Sequence, residues 1–393
     1  MLNFEFYSPT RLIFGKGTAD QIGGHIAPLA RKVLVHYGSD RIVKSGLLGR
    51  ITDSLSKAGV NYVTLGGVVA NPDIELVLKG VELAKREGVE LILAIGGGSV
   101  IDSSKAIALG LANPELDLWE VYENNLETHG AYPVACVLTF PAAGSEGSNS
   151  TVISNYKRGK KCGYNREWNR PVLSVVDPEL FSSIPKFQIA AGVADMMSHI
   201  FERYFSNTEH TELSDALSEA TLKTLIRFGP KVVANPSDYD AWSQVALCGT
   251  IAHNNMLGVG RVQDWACHKL DHELTASFGV THGAGLAVLT PAWMRYVWRV
   301  NPQRFLDFAV RIMGEEDPPQ SAAATIEAGI SSLETFYARM GLPHRLAKLG
   351  VEASGIPAMA YAATHAPDGS ERPVGGLKKI TEADAIAIYE KAL

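Results

Sequence analysis

Three histidines, His268, His272 and His282, lie within fifteen positions of one another, although the 393-residue chain has only eleven. Upstream, Asp195 and His199 stand four apart in a segment with helical spacing of apolar residues. That spacing projects a carboxylate and an imidazole from one face of a helix. Three neutral imidazoles and one carboxylate suit zinc or ferrous iron, and the lack of a thiolate argues against a structural zinc finger. Cys267 adjoins His268 but points about 100° away from it on a helix, so it is set aside as a ligand. Four protein ligands resemble a closed structural site, because catalytic zinc commonly keeps three and an open position. A substrate oxygen would then enter as a fifth ligand or displace a water.

Two loops carry a different chemistry. Residues 91–95 are an apolar run, followed by Gly96-Gly97-Gly98-Ser99 and a helical pattern through Asp102 to about residue 109. Glycines let backbone N–H groups approach a phosphate, and a helix N-terminus adds the positive end of a dipole. This is not the GxGxxG dinucleotide fingerprint, and a strand-to-helix turn also needs glycine for itself. A second loop, residues 141–148, follows the apolar run 134–139 and is rich in hydroxyl and small side chains. Two such loops at the carboxyl ends of parallel strands mark the crevice where open α/β sheets bind ligands.

These motifs in combination resemble the iron-containing (group III) alcohol dehydrogenases, and within them the NADPH-dependent butanol dehydrogenase and aldehyde reductase branch. The resemblance runs from Phe14-Gly15 to Pro291-Ala292-Trp293 and thins after about residue 300. It implies one divalent metal, Fe2+ or Zn2+, on Asp195, His199, His268 and His282, with His272 at the place of a further active-site histidine and Glu202 on the metal helix. It also places coenzyme contacts at Gly96, Gly97, Gly98, Ser99 and Asp102, and at Asn71, Thr139, Ser148 and Lys161. Ala142 and Ala143 stand where hydroxyl residues are common. In the turn after residues 32–36, NAD-selective members carry an acid at the position of Gly38, whereas the NADPH-dependent branch has a glycine-rich turn ending in serine and a lysine matching Lys44. Gly38 and Ser39 therefore point to NADP(H) over NAD(H). Asp40 argues the other way, since a carboxylate close by repels a 2′-phosphate. A homodimer is the expected assembly. His272 is a candidate proton relay near neutral pH, with a packing role as the alternative.

The elements that must position these residues follow from periodicity. Short apolar runs at 32–36, 62–65, 90–95, 134–139 and 173–176 alternate with helical patterns at 44–58 and 73–87, and Pro72 stands where a helix can begin. Such alternation predicts a Rossmann-like parallel sheet with helices on both faces. After Pro185, helical stretches at 187–205, 209–227 and 239–256 replace strand-like runs. Residues 1–183 are thus read as an α/β dinucleotide-binding domain and 184–393 as an all-helical metal-binding domain. Residues 362–377 read as a surface loop.

A net charge of −6 with 46% apolar residues gives no basic surplus for nucleic acid. The residues read as having no signal peptide and no run of eighteen apolar residues, and four scattered cysteines fit a reducing cytoplasm, so a cytoplasmic protein with no membrane partner is expected. The reading that combines these features is reduction of short-chain aldehydes, or oxidation of primary alcohols, with a small-molecule substrate among the apolar residues Trp265, Phe278 and Leu257. The rivals are a polyol or dehydroquinate-synthase-like enzyme of the same architecture, a metallohydrolase with a merely structural glycine loop, and a structural metal.

Overall fold

A computed structural model of the protein describes residues 1–38, 40–316, 321–366 and 368–393. The chain divides into two compact units, Tyr7–Ser183 and Ile184–Leu393, the latter taking in Met1–Phe6.

In the first unit the strands are β1 (Arg11–Phe14), β2 (Lys32–Tyr37), β3 (Asn61–Leu65), β4 (Leu91–Gly97), β5 (Val134–Phe140), β6 (Ser150–Asn155), β7 (Lys160–Asn165) and β8 (Leu173–Val176). Six of them form one parallel sheet in the order β1-β8-β5-β4-β2-β3, and β6 and β7 make a separate antiparallel pair. The helices are α1 (Ile22–Ile26), α2 (Arg41–Lys44), α3 (Leu47–Lys57), α4 (Ile74–Glu87), α5 (Gly98–Ala112) and α6 (Leu118–Asn124). β4 is buried along nearly its whole length, as a strand covered on both faces must be. On one face Val33, Val35, Leu91, Leu93, Val137 and Val175 pack against Ile22 and Ile26 of α1 and Ile51 and Leu55 of α3. On the other, His36 Nε2 meets Ser103 Oγ of α5 at 2.8 Å. The strand order reverses between β2 and β4, and the carboxyl ends of those strands carry Gly38 and Gly96 to Ser99.

Local chemistry explains where expectation and structure part. The helix expected at 44–58 is α3, Leu47–Lys57, and starts later than expected because Gly46, with a left-handed φ of 77°, separates it from the short α2 that ends at Lys44. Asp73 caps α4 by accepting from the Glu75 N–H at 3.4 Å, which leaves Pro72 just outside the helix. β1, β6 and β7 were not expected. β1 has four residues, and β7, with the sequence Lys-Lys-Cys-Gly-Tyr-Asn, has no apolar alternation to betray it.

The second unit is helical: α7 (Lys186–Tyr204), α8 (Glu212–Ala234), α9 (Tyr239–His253), α10 (Ala266–Phe278) and α11 (His282–Val297), followed by shorter helices and Ala322–Arg339. Among the described residues its only β pairing is two isolated bridges, His365 with Glu371 and Val374 with Ile380. Residues 189–204 of α7 are all buried, so this helix is the core of its unit. The first six residues, expected with the sheet, belong here instead: the Leu2 N–H donates to Gly260 O at 2.8 Å and the Met1 ammonium to Glu209 O at 2.7 Å. No helix among the described residues is long and apolar enough to cross a membrane.

Candidate metal centre and coenzyme loops

α7 carries Asp195 and His199 one turn apart, α10 brings His268, and His282 is the first residue of α11. Three Nε2 atoms converge on one oxygen, Asp195 Oδ1: His199 at 3.4 Å, His268 at 3.7 Å and His282 at 3.7 Å. Donors bound to one cation at about 2.1 Å in tetrahedral fashion lie about 3.4 Å from each other, and the three distances to Asp195 Oδ1 are of that size, although His199 lies outside the group of donors that are all mutually close. The donor atoms of Asp195, His268 and His282 all lie within 4.8 Å of one another. His268 Nε2 is buried with no hydrogen-bond partner among the described residues, and a cation at the shared point satisfies it. Burial opposes a proton on His268, but the Asp195 and Glu202 carboxylates outweigh it and push its pKa up to about 9. Burial and the neighbouring His253 and His268 imidazoles hold His199 well below its usual value.

Each histidine is held from behind. Glu202 Oε1 accepts from both the Nδ1 and the backbone N–H of His268, each at 2.9 Å. Asp271, fully buried on α10, accepts from His282 Nδ1. His199 Nδ1 faces His253 Nδ1 at 2.9 Å. Partners of this kind fix ring orientation and tautomer. Two glycines beside His282 make the approach possible. A Cβ on Gly283 would fall 1.9 Å from Ala191 O of α7, and one on Gly285 would fall 1.9 Å from Asp271 Oδ1. The run His282-Gly283-Ala284-Gly285 therefore seats α11 against α7 and over Asp271.

Trp265 precedes α10 with φ 68°, a left-handed conformation that a bulky residue adopts only at a cost of about 1–3 kcal/mol. Its half-buried indole stands edge-on to His199, His253 and His268, at 5.9, 5.8 and 5.3 Å between centroids. Of the apolar residues expected around a substrate, Trp265 alone is placed at the histidines by these contacts. Leu257 is fully buried, and Phe278 packs so closely that a Cβ on Gly355 would meet its ring at 2.6 Å. His272 lies one turn beyond His268, with its ring centroid 6.0 Å from that of His282. The Cys267 thiol is pushed well above its usual pKa by burial and by the Glu202 and Asp264 carboxylates.

In the sheet unit, Gly97 is the N-cap of α5, and no side chain caps the first N–H groups of that helix. Packing alone demands one of the three glycines and favours a second: a Cβ on Gly96 would lie 2.3 Å from Val100 Cγ2, and one on Gly97 a tight 3.0 Å from Phe140 Cβ. At Gly98 the nearest atom would be Ala143 Cβ at 3.3 Å. Asp102 engages both oxygens internally, accepting from Ser145 Oγ at 2.6 Å and from the Val152 N–H at 3.0 Å, and burial raises its pKa above the usual carboxylate value. It ties α5 to the 144–148 loop and β6. Lys105, which the sequence reading passed over, is completely buried. Its ammonium donates to Ser145 O, Ser148 O and Ser150 O at 2.7, 3.0 and 2.8 Å, and burial lowers its pKa to about 8 against the pull of Asp102. Ser148 is buried inside this cluster, while Ser99, Thr139 and Lys161 are half-buried. Asn71 adopts φ 56°, and its carbonyl accepts from Tyr156 OH at 2.9 Å. Gly38 ends β2 at the strand-order reversal, and Ser39 lies outside the described residues.

Comparison with known proteins agrees with this arrangement. Residues 9–178 match the family "Iron-containing alcohol dehydrogenase", and residues 189–393 match "Fe-containing alcohol dehydrogenase family, C-terminal". The chain is 35% identical to the NADH-dependent butanol dehydrogenase A of Clostridium acetobutylicum over the whole of both chains. It is 35% identical to the NADPH-dependent aldehyde reductase YqhD of Escherichia coli over 91% of this chain and 92% of that one. The crystal structure of NADH-dependent butanol dehydrogenase A from Thermotoga maritima superposes with a TM-score of 0.95 at 36% identity, covering 100% of this chain and 99% of that one. The chain belongs to the iron-containing alcohol dehydrogenase family. It is accordingly an oxidoreductase whose chemistry uses a nicotinamide coenzyme and a metal ion. The match continues to residue 393, beyond the point near 300 where recognisable motifs thin out.

Proposed function

We propose that this protein reduces short-chain aldehydes, and in reverse oxidises primary alcohols, with NADP(H) preferred over NAD(H) and one Fe2+ or Zn2+ held by Asp195, His199, His268 and His282. The observation that carries the reading is the convergence of three Nε2 atoms on Asp195 Oδ1. When bound, the cation supplies Lewis acidity that polarises a carbonyl oxygen and lowers an alcohol's pKa, and the nicotinamide supplies or accepts hydride. The chain's own residues do the rest. Glu202 and Asp271 lock two imidazoles in the tautomer that presents Nε2, and the Trp265 indole packs edge-on against His268. His272, close to His282 but not among the converging donors, is suited to pass a proton to the product alkoxide. On the coenzyme side, the turns at Gly38 and at Gly96 to Ser99 flank the strand-order reversal, with the α5 N-terminus available to a pyrophosphate. Gly38 has no side chain to oppose a 2′-phosphate, and the exposed Arg41 and Lys44 follow it on α2, with the Arg41 guanidinium donating to Ser183 Oγ. A cytoplasmic homodimer belongs to the same reading, and sedimentation of the purified protein measures the assembly.

The test is metal analysis of purified protein with a panel of butanal, butanol and glycerol against NADPH and NADH. One cation per chain, and butanal reduction with NADPH as the most efficient pairing, are expected. Equal or better efficiency with glycerol would transfer the protein to polyol substrates. Asp195→Asn and His268→Ala should each lose the cation and turnover while far-UV circular dichroism stays native. Full activity with stoichiometric metal in either variant would remove that residue from the ligand set.

A further inference from the structure

The three converging histidines are not supported alike. His268 and His282 each place Nδ1 on a carboxylate, Glu202 and Asp271, whereas His199 places it on another imidazole, His253 Nδ1, at 2.9 Å. Two ring nitrogens so close share one proton between them, one donating and the other accepting. A neutral His199 that offers Nε2 to a cation carries its proton on Nδ1. His253 Nδ1 is therefore the acceptor, and the His253 proton sits on Nε2. Arg203 fits this assignment independently, because a guanidinium can only donate. Its Nη2 reaches the same His253 Nδ1 at 3.4 Å, and its Nη1 donates to His199 O at 2.7 Å. The guanidinium is packed in turn over the Trp265 ring, 4.7 Å from its centroid.

We infer that His253 is a positioning residue that fixes the His199 tautomer through a neutral acceptor, leaving His199 the least basic of the three imidazole donors. The inference rests on the proposed cation site. A carboxylate behind an imidazole increases its basicity and so the electron density it gives the metal. Asp195, Glu202 and Asp271 already bring three negative charges to a divalent ion. A fourth acid behind His199 would neutralise the ion further and weaken its pull on a carbonyl oxygen. A neutral histidine avoids this, and the Arg203 cation next to it adds to the effect.

The experiment is chelator competition for Zn2+ on metal-stripped protein, together with the visible spectrum of the cobalt(II) form. Wild type must first bind one cation, and failure there would sink the proposed function before this inference is reached. His253→Leu should weaken Zn2+ binding about 10-fold or more and alter the cobalt spectrum, the range seen for loss of such partners. His253→Gln, whose amide oxygen can accept the same proton, should restore both. His253→Glu should bind Zn2+ more tightly than wild type and show a lower kcat for butanal, with KM for the coenzyme unchanged. Wild-type affinity in the Leu variant, or Gln as weak as Leu, would overturn the assignment. If the Leu variant fails to fold, the decision passes to Glu against Gln: Glu binding no tighter than Gln overturns it equally.

Discussion

Replacing Gly283 with alanine would put a methyl carbon 1.9 Å from Ala191 O and 2.6 Å from Ala191 C, in the middle of the contact between α11 and α7. The clashing atoms are backbone on a buried helix, so no side-chain rotation can relieve the overlap. Clearing it requires α11 to back away from α7 by about 1 Å, an overpacking that typically costs about 1–3 kcal/mol. His282 is the next residue toward the N-terminus, and its Nε2 is only 3.7 Å from Asp195 Oδ1. Metal sites tolerate departures of about 0.2 Å in ligand distance, so a shift five times larger removes His282 as a donor. Gly283→Ala should therefore lose at least about 10-fold in Zn2+ affinity, the scale set by disturbing a ligand's support. Chelator competition measures the affinity, and urea denaturation of the metal-free protein measures the packing cost. Gly49→Ala is the control. It sits exposed in α3 with nothing within 4 Å of its Cβ, and should be stabilising by about 0.5–1 kcal/mol. A Gly283→Ala protein that binds Zn2+ like wild type would show that the close approach of α11 to α7 does not set the position of His282.

Three further outcomes are expected. Gly38→Asp should move the ratio of kcat/KM for NADPH over NADH toward NADH; the backbone there is not left-handed, though Val68 O, 3.3 Å from the new Cβ, must give by a few tenths of an ångström, and in a variant with native far-UV circular dichroism an unchanged ratio would mean that this turn does not read the 2′ position. Lys105→Met leaves Ser145 O, Ser148 O and Ser150 O without their buried donor and should cost about 3 kcal/mol or more in urea denaturation, with weaker coenzyme binding by fluorescence titration; a shift under about 0.5 kcal/mol would contradict the reading. His36 is buried and its pKa is lowered from 6.5 to about 4, so between those values the unfolded chain takes up a proton that the folded one refuses. Its contribution is complete above pH 6.5 and lost as pH falls toward 4, about 3 kcal/mol in all, so His36→Gln should show a flatter fall in stability over that interval; parallel profiles would refute it.

What the sequence disclosed depended on whether a residue's role left a local pattern. The sheet was legible because 91–95 and 134–139 are unbroken apolar runs between helical periods. That Asp195 and His199 would meet the cluster from His268 to His282 was legible because several uncommon side chains fell at helical or close spacing. The residues behind them were not. His253 is a single histidine at the end of α9, and Asp271 looks like any helix acid until Gly285 is seen lying on its Oδ1. Lys105 occupies a helix that is buried almost throughout, where a lysine is unexpected, and that mismatch was the available signal. Met1–Phe6 could not be assigned, because their partners, Glu209 and Gly260, lie more than two hundred residues away.

The burial of α7 on every side has a practical consequence. Asp195 and His199 sit among residues 189–204, which form the centre of the helical unit, so a cation held at the proposed site would couple its occupancy to the cohesion of that unit. By mass action, a cation present at a thousand times its dissociation constant adds about 4 kcal/mol to the folded state. Preparations that differ only in loading will then melt at different temperatures. A thermal-shift titration with different divalent ions would rank their affinities without substrate or coenzyme, and buffers containing chelators would shorten the working life of the protein as well as inactivate it.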